Sequence, residues 1–163
     1  MDELLNIHAK ITCLIYKQIR KVKKMNSQIV EKFFKCMESG DIDGALSYLT
    51  EDHVGHDMGT GAVMKGHEEN RADMENWNTT FSNLKVEILN HVESGDTVVT
   101  ELKMSGVNTG DLAQPDGAKI PATGKSVEMN GCQVAVFENG KMKKSTQYYN
   151  CLLYTSPSPR DSN

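Results

Sequence analysis

The sequence predicts an α+β fold in which three helices pack on one face of a curved antiparallel sheet. Two observations carry that expectation. Apolar residues step by three or four from Asn26 through the first half of the chain, and they alternate singly with polar residues from Leu84 onward. Helices followed by a run of strands is the α+β order. With 163 residues and a net charge of −4, the chain suits one domain with one buried core.

The elements follow in order. Leu4, Ile7, Ile11, Ile15, Ile19 and Val22 paint an apolar stripe on a basic leader, residues 1–25. His8, Lys10 and Lys17 interrupt it, so it is neither a membrane span nor a secretory signal. It reads as an appended amphipathic helix, a helix for a membrane surface or partner, or sequence upstream of a natural start at Met25. Ile29, Val30, Phe33, Phe34 and Met37 then form a helical stripe that ends at Ser39-Gly40. Asp41 to Asp43 caps a second short helix with the face Ile42, Ala45, Leu46 and Leu49. Glu51 to Lys65 looks irregular, with at most a short strand from His53 to Asp57. A polar helix follows over about His67 to Thr80, with Met74, Trp77 and Phe81 inward.

Leu84, Val86 and Ile88 mark one strand, and Val98, Thr100, Leu102 and Met104 mark the next, joined through Ser94-Gly95-Asp96. Gly110 to Gly124, which contains Pro115 and Pro121, is expected to be a long hairpin loop. Two more strands, about Ser126 to Phe137 and Lys141 to Tyr149, meet at Asn139-Gly140, a hairpin-turn dipeptide. The end, residues 151–163, has the Ser/Pro/Arg/Asp composition of a disordered tail and resembles translated sequencing-adapter DNA, which would make it no part of the natural protein.

Charge and cysteines exclude several function classes. Residues 1–24 carry six Lys/Arg against two Asp/Glu, a balance of +4 that leaves −8 on the remainder. A body this acidic repels phosphates, so nucleic acid is not the expected partner and a neutral or apolar ligand is. Cys13, Cys36, Cys132 and Cys151 form no Cys-x-x-Cys pair. Zinc spacing is therefore absent, and reduced thiols in the cytoplasm are expected. Gly124-Lys125-Ser126 opens a strand rather than a helix, so it is no phosphate loop, and no cofactor motif stands out.

Two segments resemble a known family. One is Ala45 to Asp57, Ala-Leu-Ser-Tyr-Leu-Thr-Glu-Asp-His-Val-Gly-His-Asp, followed by glycines and the helix from Gly66. The other runs from Gly106-Val107-Asn108-Thr109-Gly110 through Pro121-Ala122-Thr123-Gly124-Lys125-Ser126-Val127 to Phe137-Glu138-Asn139-Gly140-Lys141-Met142. In order and spacing, residues 26–150 are similar to SnoaL-like polyketide cyclases and their ester-cyclase relatives in the nuclear transport factor 2-like superfamily. The resemblance implies a cone-shaped, cystatin-like α+β barrel with an apolar pocket at one end. It also implies a homodimer built on the sheet's outer face and an intramolecular aldol ring closure run by a histidine and an aspartate, without a cofactor. Here those two positions are Asn108 and Asn150. An amide can hold a carbonyl oxygen but exchanges no proton near neutral pH, so neither can be the acid/base.

The candidate residues are weighed accordingly. His56 and Asp57 resemble the family's His-Asp pair near the pocket and are the candidate base, unless the extended chain points them apart. Asn108, Tyr148 and Asn150 would hold the developing oxyanion. Met74 and Trp77 would line the pocket, and with Phe81 they equally suit plain core packing. Glu101 and Glu128 could be displaced bases or simply exposed strand carboxylates. His53, His56, Asp57 and His67 have ligand types for one divalent ion, although solvent-exposed histidines explain them as well. The expected protein is thus a cofactor-independent cyclase or isomerase acting by proton transfer on an apolar, carbonyl-bearing substrate. The alternative is a non-catalytic ligand-binding or dimerisation module on the same fold.

Overall fold

The computed structural model of the chain describes residues 26–113 and 117–149. The leader, Asn150, the tail, Cys13 and Cys151 lie outside the described residues. Helix α1 spans residues 26–39 and stops where Gly40 takes φ +73°. There the Asp41 N–H turns back to donate to Cys36 O at 2.9 Å, which satisfies one of the carbonyls left open at a helix end. Asp41 also caps α2 (Ile42–Ser47), its carboxylate accepting from Gly44 N at 2.9 Å. After β1 (Leu49–Asp57) and β2 (Val63–Lys65) comes α3 (Gly66–Thr80). The four long strand segments are β3 (Phe81–Ser94), β4 (Thr97–Asn108), β7 (Ser126–Glu138) and β8 (Lys141–Tyr149). A small ribbon of β5 (Leu112–Ala113) and β6 (Lys119–Ile120) sits between them.

One six-stranded sheet runs in the order β2-β1-β8-β7-β4-β3. Its hairpins are antiparallel, as expected, and β1 and β8 pair in parallel. From β2 the chain crosses through α3 to the far edge of the sheet at β3, and the later strands return until β8 lies beside β1. Asn139 and Gly140 both have positive φ, 51° and 76°, the left-handed pair that a two-residue hairpin turn requires. The sheet is bulged in β3 between Ile88 and Asn90 and between Ser82 and Lys85, which bends it around α1 and α3.

Two expectations change. Glu51 to Lys65 is not irregular, because β1 is nine residues long and pairs with β2. Its alternation is concealed because polar or side-chain-free residues occupy the inward positions His53, Gly55 and Asp57, all buried. The loop from Gly110 to Gly124 also contains the β5/β6 ribbon.

The core sits between the helices and the concave face of the sheet. Val30, Phe33 and Phe34 of α1 meet Leu46, Met74, Val98, Leu102 and Phe137, all buried. A second cluster groups Trp77, Phe81 and Met129 at the other end of α3, with Trp77 and Phe81 stacked 5.3 Å apart. The wide end between these clusters is not filled. Among the described residues no helix is long and apolar enough to cross a membrane, and Cys36 and Cys132 are free thiols.

Candidate functional site

The unfilled end is a cavity of about 70 Å³. Its apolar wall is made by Phe33, Phe34, Met74, Trp77, Leu84 and Met104. The opposite wall is polar, made by His53, Asp57, Gln133, Ser145 and Gln147, and Asp73 adds a carboxyl from α3. The division follows from the elements. α1, α3 and β3 supply the apolar side, whereas the inward positions of β1, β7 and β8 supply most of the polar groups.

Strand register fixes which side chains share that wall. Gly55 pairs with Ser145 and Asp57 with Gln147, while His56 between them pairs with Thr146 and Val63. Adjacent strand residues alternate faces. His56 therefore borders the cavity from the opposite face of β1 to Asp57, and the expected His56–Asp57 unit does not form.

Asp57 is 3% exposed and extensively held. Oδ1 accepts from Gly59 N at 2.8 Å and Thr60 N at 3.0 Å, and Oδ2 accepts from the Tyr149 hydroxyl at 2.8 Å. Gly59 is needed for this arrangement, because a Cβ there would lie 2.4 Å from the Tyr149 ring. Tyr149 in turn stands edge-on to Trp77 at 6.0 Å.

Asp73 is the second carboxyl of the cavity. Burial, reinforced by the nearby charge of Asp57, pushes it up to about 6 from an ordinary 3.8. It lies on α3 with Asn70, Met74 and Trp77, a spacing that puts all four on one helix face. Asn70 is committed to the backbone, its Nδ2 donating to Gly66 O at 2.7 Å.

His53 is 1% exposed and lies in a fixed tautomer. Met142 O can only accept, so Nδ1 carries the proton across their 2.9 Å contact. Nε2 is then the acceptor for the Ser145 hydroxyl at 3.1 Å. Burial first, and the neighbouring His67 second, lower the pKa of His53 and favour this neutral ring.

The other expected residues are placed as follows. Met74 and Trp77 line the cavity. Asn108 does not: it is buried, and its Oδ1 accepts from Thr123 N and Oγ1 at 2.8 and 2.9 Å while Nδ2 donates to Gly110 O at 2.9 Å. An amide with these bonds pins the loop and is not free to hold an oxyanion. Tyr148 is 48% exposed and pairs with Cys132, so alternation points it away from the Ser145, Gln147 and Tyr149 face. Glu101 and Glu128 fall on the exposed face, Glu128 paired to Lys103 at 2.8 Å. Among the described residues, no three His, Cys, Asp or Glu side chains converge as a metal set. Asn150 lies outside the described residues.

Asp73, Gln133 and Gln147 escaped the sequence reading, although each left a signal. A helix with few apolar residues on its inner face must fill that face with something else, here Asn70 and Asp73. Gln133 and Gln147 break the apolar alternation at inward positions of β7 and β8, and a polar residue there marks a cavity or a buried network.

Known proteins agree with this architecture. A candidate SnoaL-like polyketide cyclase from Jannaschia sp. CCS1 superposes with a TM-score of 0.71 at 18% identity, covering 83% of this chain and 94% of its own. TsrD from Streptomyces laurentii gives 0.68 at 22%, covering 82% and 92%. A protein with a ketosteroid isomerase-like fold from Catenulispora acidiphila, in complex with trimethylamine, gives 0.65 at 16%, covering 79% and 93%. Such identities show a shared fold. No curated protein matches the sequence significantly. The family model of SnoaL-like polyketide cyclases matches residues 27–153, so the chain belongs to that family.

Proposed function

We propose that the protein is a cofactor-independent cyclase or isomerase that moves a proton at carbon next to a carbonyl in an apolar ligand, with Asp73 as the base. The observation that carries this reading is the placement of the Asp73 carboxyl in a largely apolar cavity against the Asp57 carboxylate. A carboxyl titrating near 6 is ionised at neutral pH yet far more basic than an ordinary aspartate, which is what carbon deprotonation needs. Asp73 takes the α-proton, the electron pair moves into the carbonyl to give an enolate, and Asp73 returns the proton at a different carbon or after ring closure. Gln147 is the amide that can donate to the enolate oxygen. Asp57, saturated by two backbone N–H groups and the Tyr149 hydroxyl, supplies the charge that keeps Asp73 basic.

The sheet's outer face supports a homodimer as part of the same proposal. Val92 is 58% and Val136 36% exposed, and the register sets Val92 beside Val99 and Val99 beside Val134. A valine stripe of this kind is a face to be covered by a second copy.

Hydrogen–deuterium exchange at the α-carbons of 2-tetralone, a bicyclic apolar ketone, tests the chemistry. The protein should accelerate exchange with a rate that rises with pH through about 6, and Asp73→Asn should lower it by about a hundredfold or more. Binding of 2-tetralone without accelerated exchange would instead establish a ligand-binding module.

A further inference from the structure

Proton transfer at Asp73 leaves the His53–Ser145 pair of the cavity wall without a role. Ser145 lines the cavity half-buried, and its hydroxyl donates to His53 Nε2 at 3.1 Å. On the far side of the ring, Nδ1–H donates to Met142 O at 2.9 Å across a buried contact. A hydroxyl, an imidazole base and a third group that fixes the ring's tautomer are the parts of an activated serine nucleophile. Here the third group is a backbone carbonyl rather than a carboxylate. The elements hold these parts in place. The register of β1 on β8 shifts between Leu49 and Val54, and His53, inside that irregular stretch, faces both Met142 and Ser145. On either side of Ser145 the sheet sets Gly55 and Ala135, the residues with the least side chain, so the neighbouring strands leave the hydroxyl open to the cavity. Burial lowers the pKa of His53, so at neutral pH Nε2 carries no proton and is able to take one from serine.

We propose that Ser145 is a nucleophile activated by His53, and that the cavity takes a short-chain ester and hydrolyses it through an acyl-serine. Ser145 Oγ attacks the ester carbonyl carbon as its proton passes to His53 Nε2. Gln147, two residues along the same face of β8, brings its amide to the same wall as a donor for the oxyanion that forms. Collapse breaks the bond to the alcohol, which leaves with the proton held on Nε2. Water then gives a proton to Nε2 while its oxygen adds to the acyl carbon, and Ser145 Oγ leaves and recovers that proton. Ester and water become alcohol and carboxylic acid, with both side chains restored. A cavity of about 70 Å³ suits a short acyl chain. The Asp57 and Asp73 carboxyls beside it repel a carboxylate product and favour its release. Nothing in this reaction requires Asp73 to act as a base, so it stands apart from the proton-transfer reading.

Two reagents applied to the full chain test this. 4-Nitrophenyl acetate should be hydrolysed with turnover, and Ser145→Ala or His53→Gln should each lower the rate by about a hundredfold or more. Methanesulfonyl fluoride is small, loses fluoride to a serine oxygen and leaves an ester that does not hydrolyse. Peptide mass spectrometry should find its sulfonyl group on Ser145, and the labelled protein should no longer hydrolyse 4-nitrophenyl acetate. His53→Gln keeps a donor for Met142 O but supplies no base, so Ser145 in that variant should be labelled about a hundredfold more slowly. A His53 that served packing alone would not change this rate. The wild-type label decides the matter even if a variant does not fold: sulfonyl groups on lysine or tyrosine side chains only would overturn the inference. So would hydrolysis that survives Ser145→Ala, or a Ser145 that reacts as fast in His53→Gln as in the wild type.

Discussion

Asp73→Asn separates stability from chemistry at a single carboxyl. Moving the group from 3.8 to about 6 means that the folded protein binds its proton more tightly than the unfolded chain does. Between those two values the folded state carries more protons, so stability falls as pH rises through the window and levels off above it. The ionised carboxylate therefore costs about 3 kcal/mol at pH 7.5, and only about 0.5 kcal/mol at pH 4. Asparagine has nearly the same shape and no charge. The variant should be about 3 kcal/mol more stable than wild type in urea denaturation at pH 7.5, with the advantage shrinking to about 0.5 kcal/mol at pH 4. The same substitution should abolish exchange into 2-tetralone. An equal difference at both pH values, or a variant less stable than wild type at pH 7.5, would refute the argument that burial beside Asp57 sets the state of Asp73.

Three further substitutions probe the rest of the site. In Asp57→Asn, Asp73 loses its charged neighbour but not its burial, so carboxyl carbon NMR should find it titrating below 6 yet above 3.8; an unchanged titration would sink the coupling. His53 is held neutral by burial, so its contribution to stability is present above its ordinary 6.5 and lost as pH falls below that value. His53→Gln should accordingly make unfolding less pH-dependent between 6.5 and 5, and a variant with wild-type pH dependence would show that the ring is not responsible. Asn108→Ala should cost about 2–3 kcal/mol in denaturation while leaving 2-tetralone affinity within about twofold, since its amide pins the loop rather than the ligand; a large loss of affinity would return Asn108 to the site.

How much of this was legible in the sequence depended on whether burial and hydrophobicity coincide. They coincide in α1, where Val30, Phe33 and Phe34 are both apolar and inward, and along β4, where Val98 and Leu102 are. The hairpin at Asn139-Gly140 was legible because its turn needs two left-handed residues and those two types adopt that conformation most readily. They diverge in β1, where His53 and Asp57 hold buried positions that a hydrophobic pattern assigns to solvent. Asp73 and Gln133, polar groups at inward positions, were hidden for the same reason. His56 does line the cavity, but not as a pair with Asp57. Two adjacent residues with compatible chemistry suggest a pair, whereas the alternation of an extended strand sends them to different faces.

The cavity therefore works against the fold that contains it. Phe137 and Met142 fill the narrow end and stabilise the domain, while the wide end holds an ionisable carboxyl near a second one and an amide oxygen with no partner. Each of these costs free energy that an apolar residue at the same position would not. Asp57 shows that the chain can neutralise such costs, since two backbone donors and a tyrosine hydroxyl satisfy it completely. At Asp73 and Gln133 no comparable compensation is built. Local inconsistency of this kind in an otherwise well-packed protein is the physical mark of a site whose missing partner is a ligand. The uncompensated carboxyl at Asp73 is the group that the proposed proton transfer uses.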